Sequence, residues 1–445
     1  MHILQSLLNE LKKEFTWSRI GNERGSWFVC TLLAIIVPFT PSRTSNLLRC
    51  LEIFFGFVGI KKKRYYTFMA SSKIPWKGLW SRVWHMIPDP ETNGRLLIAL
   101  DDFINPKTGK KIFGCARVFD HAAKVNQSKY PWAQNVVSIG LLKMIKGRWA
   151  CLPLKHRFYH LKKEIRKSVP VYNGKPIGFQ SKHVQAVSMI TDVAAEFADA
   201  NILVVADSWF GNNGMWEPLH KELGRQVHMI SRLRSNNNLF SVRPKMETKR
   251  KPGRPRIYGD KLGTTSSLAG ENRDLANFCK VNLYGKSRSV LAYDRILMLR
   301  TLKRAVRVVW IYRKTRWVAL FSTDLTLSVT DIIEYYGARW KIEACFKELK
   351  REIGSAETQT RNSVAVTNHL EFCMMATSIT WIYACRLANT PSRRHAVNGR
   401  DHFAFSDVRR MVTKAAFDDN FTLLCPPAGK PVDNSVVTAL LQLAA

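Results

Sequence analysis

The first ninety residues carry apolar side chains at helical intervals. Leu4, Leu7, Leu8 and Leu11 repeat with the three-and-four spacing of one helix face. "TSNLLRCLEIFFGFVGI" opens on capping residues before an apolar run, and Trp76, Trp80 and Trp84 stand four apart on a single face. That tryptophan stripe reads as core packing. From residue 95 the period changes. "RLLIAL" is a short apolar run between turn signals, which predicts a buried strand, and it delivers Asp101 and Asp102 at its end. "NVVSIGLLKMIKGRWACLPL" predicts further strands, "SKHVQAVSMITDVAAEFA" an amphipathic helix, "NILVVADSWFGN" a strand ending in Asp207, and "QVHMISRLR" another strand. Between 235 and 325 the alternation is strand-like with basic residues on one side, and from there to the end the pattern is helical again.

"YYGARWKIEACFKELK", residues 335–350, adds candidate chemistry. Tyr336, Arg339, Glu343 and Lys350 lie at offsets 0, 3, 7 and 14, within an arc of roughly 60° at about 100° per residue. Ile342, Cys345, Phe346 and Leu349 occupy the adjacent, core-facing arc. One acid therefore shares a polar stripe with two cations and a phenol, spread over about 21 Å of helix.

Charge narrows the partners. The 445 residues include 69 Lys and Arg against 34 acids, a formal charge of +35. Charge of that size, distributed along the whole chain, suits a polyanion such as nucleic acid better than a membrane surface. The apolar stretch 27–39 is interrupted by Pro38 and is too short to span a bilayer. The nine cysteines form no CxxC pair, which argues against a zinc site or a disulfide framework. A cytoplasmic, nucleoid-associated protein with no membrane partner is expected.

Two strand-end acids and one helix acid are costly to bring together unless divalent cations neutralise them. Mg²⁺ is the natural counter-ion for such a set. Two such ions, with Mn²⁺ as a possible substitute, would serve phosphodiester chemistry. Glu343 follows Asp207 by 136 positions, more than one helix and one strand need, so an insertion is expected between them.

Tyr336-x2-Arg339-x3-Glu343-x6-Lys350 resembles the YREK signature of bacterial insertion-sequence transposases with a DDE triad, the group whose RNase H-like core is interrupted by a β-strand insertion. "ALDDFINPKTGKKIFG" and "VVADSWFGN" are similar to that family's first-acid and second-acid motifs. The resemblance implies Asp102, Asp207 and Glu343 as the metal-binding triad, with Tyr336, Arg339 and Lys350 on the DNA backbone near the cleaved end. The family commonly has Thr after the first acid, where Phe103 stands here. Side chains alternate along a strand, so only one of Asp101 and Asp102 enters the site; Asp102 is the expected ligand, and Asp101 a neighbouring or turn residue.

The resemblance also implies an α/β fold. A helical DNA-binding region (1–92) precedes an RNase H-like core with a mixed sheet (93–234 and 326–360). The core is interrupted by a β-rich insertion (235–325) and followed by a helical, possibly dimerising region (361–445). In the insertion, Trp310 and Trp317 are candidates to stack on a flipped base, and Arg254 and Arg256 in "KRKPGRPR" are candidates for a minor-groove contact. The expected activity is cut-and-paste transposition by a homodimer on paired terminal inverted repeats and target DNA. A transposase-derived protein that binds DNA without cutting it, or an RNase H-like nuclease without strand transfer, are the alternatives.

Overall fold

A computed structural model describes residues 3–417, apart from 16–17, 39–40, 56, 58–60, 122, 244–256, 396–397 and 399–401. Five helices come first: α1 (Ile3–Lys12), α2 (Arg19–Ile36), α3 (Thr44–Phe54), α4 (Lys62–Met69) and α5 (Trp76–His85). Leu4, Leu7, Leu8 and Leu11 are all buried, as their spacing predicts, and so are Trp80 and Trp84.

The sheet begins with β1 (Arg95–Pro106), β2 (Cys115–Arg117), β3 (Trp132–Ile145) and β4 (Arg148–Tyr159). Strands β3 and β4 are joined by Lys146 and Gly147, both with positive φ (46° and 80°), the backbone a two-residue hairpin loop requires. After the short helix α6 (Lys162–Lys167) and the small hairpin β5 (Val171–Tyr172) and β6 (Lys175–Pro176) come α7 (Lys182–Glu196), β7 (Asn201–Ala206), α8 (Asn213–Leu223) and β8 (Val227–Arg232). Ser181 caps α7 by accepting from the Val184 N–H.

The next segment contributes β9 (Asn238–Phe240), β10 (Lys261–Thr264), α9 (Thr265–Glu271), β11 (Asn277–Leu283), β12 (Lys286–Leu299), β13 (Arg304–Arg313) and β14 (Arg316–Ser322). Its strands extend the core sheet. β14 pairs antiparallel with β8, and one mixed sheet of twelve strands runs β10-β9-β12-β13-β14-β8-β7-β1-β3-β2, with β11 on β12 and β4 on β3. This mixed α/β arrangement with helices at both ends is consistent with the expected RNase H-like core.

Helix α10 (Val329–Lys347) packs against β1, β3, β4 and β7 on one face of the sheet. Helix α7 packs against β3 and β4 from the other side. A π-helical turn, Glu348–Ile353, follows α10, and then α11 (Ser363–Arg386) and α12 (Phe405–Ala416).

Helix α11 is buried along nearly its whole length, and it packs against α1, α2, α4 and α5. Its polar residues are satisfied internally: Thr377 and Thr380 donate to the carbonyls of Cys373 and Ala376. Asn368 accepts from Trp76 Nε1 at 2.8 Å and donates to the carbonyls of Met69 and Ser71. The helices of the two chain ends thus share one core. No helix among the described residues is long and apolar enough to cross a membrane. Cys50, Cys151, Cys345 and Cys373 are buried free thiols.

Candidate active site

Strand β1 carries its acids at the level where β7 ends. The parallel β1–β7 ladder closes on Leu100–Ala206, so Asp101 and Asp207 are the next residues on two adjacent parallel strands and share a face. The β7–β8 ladder closes on Val205–Ile230, which puts Arg232 two residues on, level with Asp207.

The α10 face is fixed by an aromatic contact: Phe103 lies against Phe346, with ring centroids 4.4 Å apart. Asp101 has the same strand parity as Phe103. Its Oδ2 accepts from Arg339 Nη1 at 3.0 Å, and the other guanidinium nitrogen donates to Glu343 Oε1 at 3.1 Å. Arg339 is 8% exposed and stands over the Tyr336 ring at 5.6 Å. The guanidinium therefore stands between the strand acid and the helix acid.

Burial pushes the Asp101 carboxyl up to about 7; Arg339 and the Asp102 N–H oppose this, and the negative charges of Asp207 and Asp102 add to it. One guanidinium does not compensate the group of acids. Their oxygen-only donor set, with an acid whose ionised form is disfavoured, fits a hard divalent cation. Among the described residues no three acidic, histidine or cysteine side chains already close on one point as a metal cage.

Asp207 sits in the "DSWFGN" turn. Its Oδ1 accepts from the backbone N–H groups of Trp209 and Phe210 at 3.0 and 3.2 Å, which pins the carboxylate at the strand end. Ser231 Oγ donates to the Asp207 carbonyl at 2.7 Å. A Cβ on Gly211 would come within 2.2 Å of that same hydroxyl, so this close approach requires glycine.

Asp102 turns the other way, toward α7. Its Oδ2 accepts from Lys182 Nζ at 2.7 Å and from Asn135 Nδ2 at 3.2 Å. The preference for Asp102 as the acid that enters the site is thereby corrected: alternation along β1 sends Asp101 toward Glu343 and Asp207, and Asp102 through the sheet to a lysine.

Other candidate residues are distributed unevenly. Tyr336 and Arg339 lie together as the helix stripe predicts. Lys350 falls beyond the end of α10, in the π-helical turn, where its charged neighbours are Asp120 and Arg351. Trp310 is fully buried, donates to the Thr265 carbonyl at 3.1 Å and packs on Tyr293; a base cannot reach its ring, so that candidacy is withdrawn. Trp317 is partly buried against the core. Arg254 and Arg256 lie outside the described residues.

Two features escaped the sequence reading. Exposed Arg232 beside Asp207 is close enough for its charge to act on the Tyr336 phenol; its signal was a cation at the end of a strand parallel to an acid-bearing one. Trp209, 42% exposed, stacks on His183 with ring centroids 4.5 Å apart and planes 8° from parallel, with Lys182 Nζ 5.6 Å from its ring centre. Its signal was an aromatic side chain in an otherwise polar turn.

A family model described as DDE superfamily endonuclease matches residues 22–288. The chain belongs to that family. The match takes in Asp101 and Asp207 and ends before Glu343. Membership carries a nuclease or transposase type of activity on DNA, a chemistry that in this superfamily generally uses divalent metal ions. No curated protein matches the chain.

Proposed function

We propose that this protein is an insertion-sequence transposase that cuts DNA at terminal inverted repeats and joins the freed end to target DNA, with Asp101, Asp207 and Glu343 as its catalytic acids. The observation that carries the reading is the Arg339 bridge: one guanidinium joins an acid on β1 to an acid on α10, beside a third acid on the neighbouring strand. In family terms the helix matches the YREK pattern, with Tyr336 and Arg339 in its stripe.

Asp101, Asp207 and Glu343 would hold the divalent ions, Mg²⁺ or Mn²⁺. When bound, such ions lower the barrier to attack on a phosphodiester and stabilise the leaving oxygen. The chain's own residues prepare the site. The Asp207 turn fixes one carboxylate against two backbone N–H groups. Arg339 holds Asp101 and Glu343 in register in the absence of other cations. Exposed Arg232 and, from the π-helical turn, Lys350 would present positive charge to the DNA backbone, while Arg339 is taken up by the acids. The basic character of the chain supports DNA as the partner, and two ends to be joined support a homodimer. Residues 1–92, 235–325 and 361–445 are proposed as end-binding, insertion and assembly regions around the catalytic core.

The test is Mg²⁺-dependent processing of duplexes that carry the element's end sequence, with analysis for joined products. Nicked and joined DNA from the native protein, and neither from Glu343→Gln with end binding retained, is the expected result. Cleavage without joining would leave a nuclease. Tight binding with no cleavage would leave a DNA-binding derivative.

A further inference from the structure

At the opposite ends of the acid-bearing strands lies a cleft of about 450 Å³ lined by Arg95, His228, Arg304, Thr323, Asp324 and Thr326, among others. Arg95 precedes Asp101 by six residues on β1, so the cleft is about 20 Å from the acids at 3.3 Å per residue. It is a separate place on the molecule.

Its charges do not balance. Arg95 Nη2 pairs with Asp324 Oδ2 at 2.8 Å, and Asp324 Oδ1 already accepts from the Thr326 N–H and hydroxyl at 3.0 and 2.6 Å. The one acid of the cleft is thereby satisfied. Arg304 has no carboxylate partner among the described residues; its guanidinium lies 4.5 Å over the Trp216 ring. Arg304 Nε and His228 Nδ1 are both buried with no hydrogen-bond partner. An unmet buried polar atom costs on the order of 1–3 kcal/mol, and the Arg304 N–H donor and the imidazole nitrogen of His228 both belong to residues that line this cleft. The space is open enough to admit a ligand that brings several acceptor oxygens and negative charge. Phosphate has that chemistry, and a guanidinium fork suits it.

We infer that this cleft is a phosphate-binding subsite in which the Arg304 guanidinium, with His228 beside it, donates to the oxygens of a DNA backbone phosphate, away from the bond that is cut. With a chain at +35 and a family that acts on DNA, a duplex running across the molecule is the source the observations favour over free phosphate. The inference rests on the donors and charge of the cleft, and is independent of which acids do the chemistry.

The test uses the full chain with Arg304→Gln, Arg304→Lys and His228→Gln. Duplex binding is measured by anisotropy across a salt series. Arg304→Gln should weaken binding several-fold near 0.15 M salt and reduce the logarithmic salt slope by about 1. Arg304→Lys should restore the slope, and nicking at saturating DNA should be unchanged in all three. Thermal melting with inorganic phosphate, against chloride at equal ionic strength, separates the sources. Phosphate stabilisation of the native chain, absent in Arg304→Gln and His228→Gln and accompanied by an unaltered DNA slope, would support the subsite and assign it to free phosphate. Should Arg304→Gln fail to fold, His228→Gln carries the phosphate-melting measurement and duplex affinity at fixed salt. Loss of phosphate stabilisation and several-fold weaker binding are then expected, and no change in either overturns the inference. An unchanged slope together with no phosphate-specific stabilisation would overturn the inference and leave a water-filled cleft.

Discussion

Asp101 and Asp102 are consecutive in the chain, yet one carboxylate is held by Arg339 under α10 and the other by Lys182 at the start of α7, on opposite sides of the sheet. Their substitution phenotypes should separate accordingly. Asp101→Asn should lower DNA cleavage by about 10²–10³-fold or more, the scale of losing one preorganised electrostatic group. Asp102→Asn loses a half-buried ion pair and should stay within about tenfold of the native rate. Single-turnover nicking measures both. Equal losses would remove the distinction between the two faces.

The pH dependence of stability carries a second prediction. Asp101 is raised from 3.8 to about 7, so between these values the folded chain keeps a proton that the unfolded chain has released. Its contribution to stability therefore falls as pH rises from about 4 to about 7 and is level above that. Asp101→Asn removes this penalty. Urea denaturation should find the variant more stable than the native chain at pH 8, on the order of 1–3 kcal/mol, and not at pH 4. Mg²⁺ should stabilise the native protein at pH 8 and the variant much less.

Trp209 should matter for DNA and not for folding. It is an exposed ring in the turn that follows Asp207, supported by His183. Trp209→Ala should cost about 1–3 kcal/mol of binding to DNA with an unpaired nucleotide near the cut, with Trp209→Phe intermediate. Thermal melting should move little. Unchanged binding by anisotropy would rule out a stacking role.

Trp310 should behave in the reverse manner. Fully buried, and bonded to the Thr265 carbonyl, it fills the insertion's share of the sheet. Trp310→Ala should destabilise the protein by about 3–5 kcal/mol, read by chemical denaturation, while whatever folded protein remains should bind DNA ends normally.

Much of the site could be read from the chain because its signals were local. The helix stripe of Tyr336, Arg339 and Glu343 obeys a fixed angle per residue, and Asp207 closes an apolar run at a turn. The parity of β1 was not legible. Leu96 to Leu100 are buried on both faces, so no apolar–polar alternation tells which of the two following acids looks toward α10. Lys350 leaves the helical stripe for a related reason: the angle per residue changes where the α-helix gives way to a π-helical turn. Trp310 and the continuity of the sheet across the insertion depend on pairing between distant segments, which spacing within one segment does not encode. The shared core of the two chain ends is of the same kind.

That shared core has a consequence for how the protein is made. The apolar faces of α2 and α5 emerge from the ribosome early, but their partner α11 begins only at Ser363. At about 5–20 residues per second, several hundred residues of intervening chain impose a delay of tens of seconds. Through that interval the leading helices have no mate, and a nascent chain that stalls or is truncated before α11 offers greasy, positively charged surface to chaperones, proteases and other polysomes.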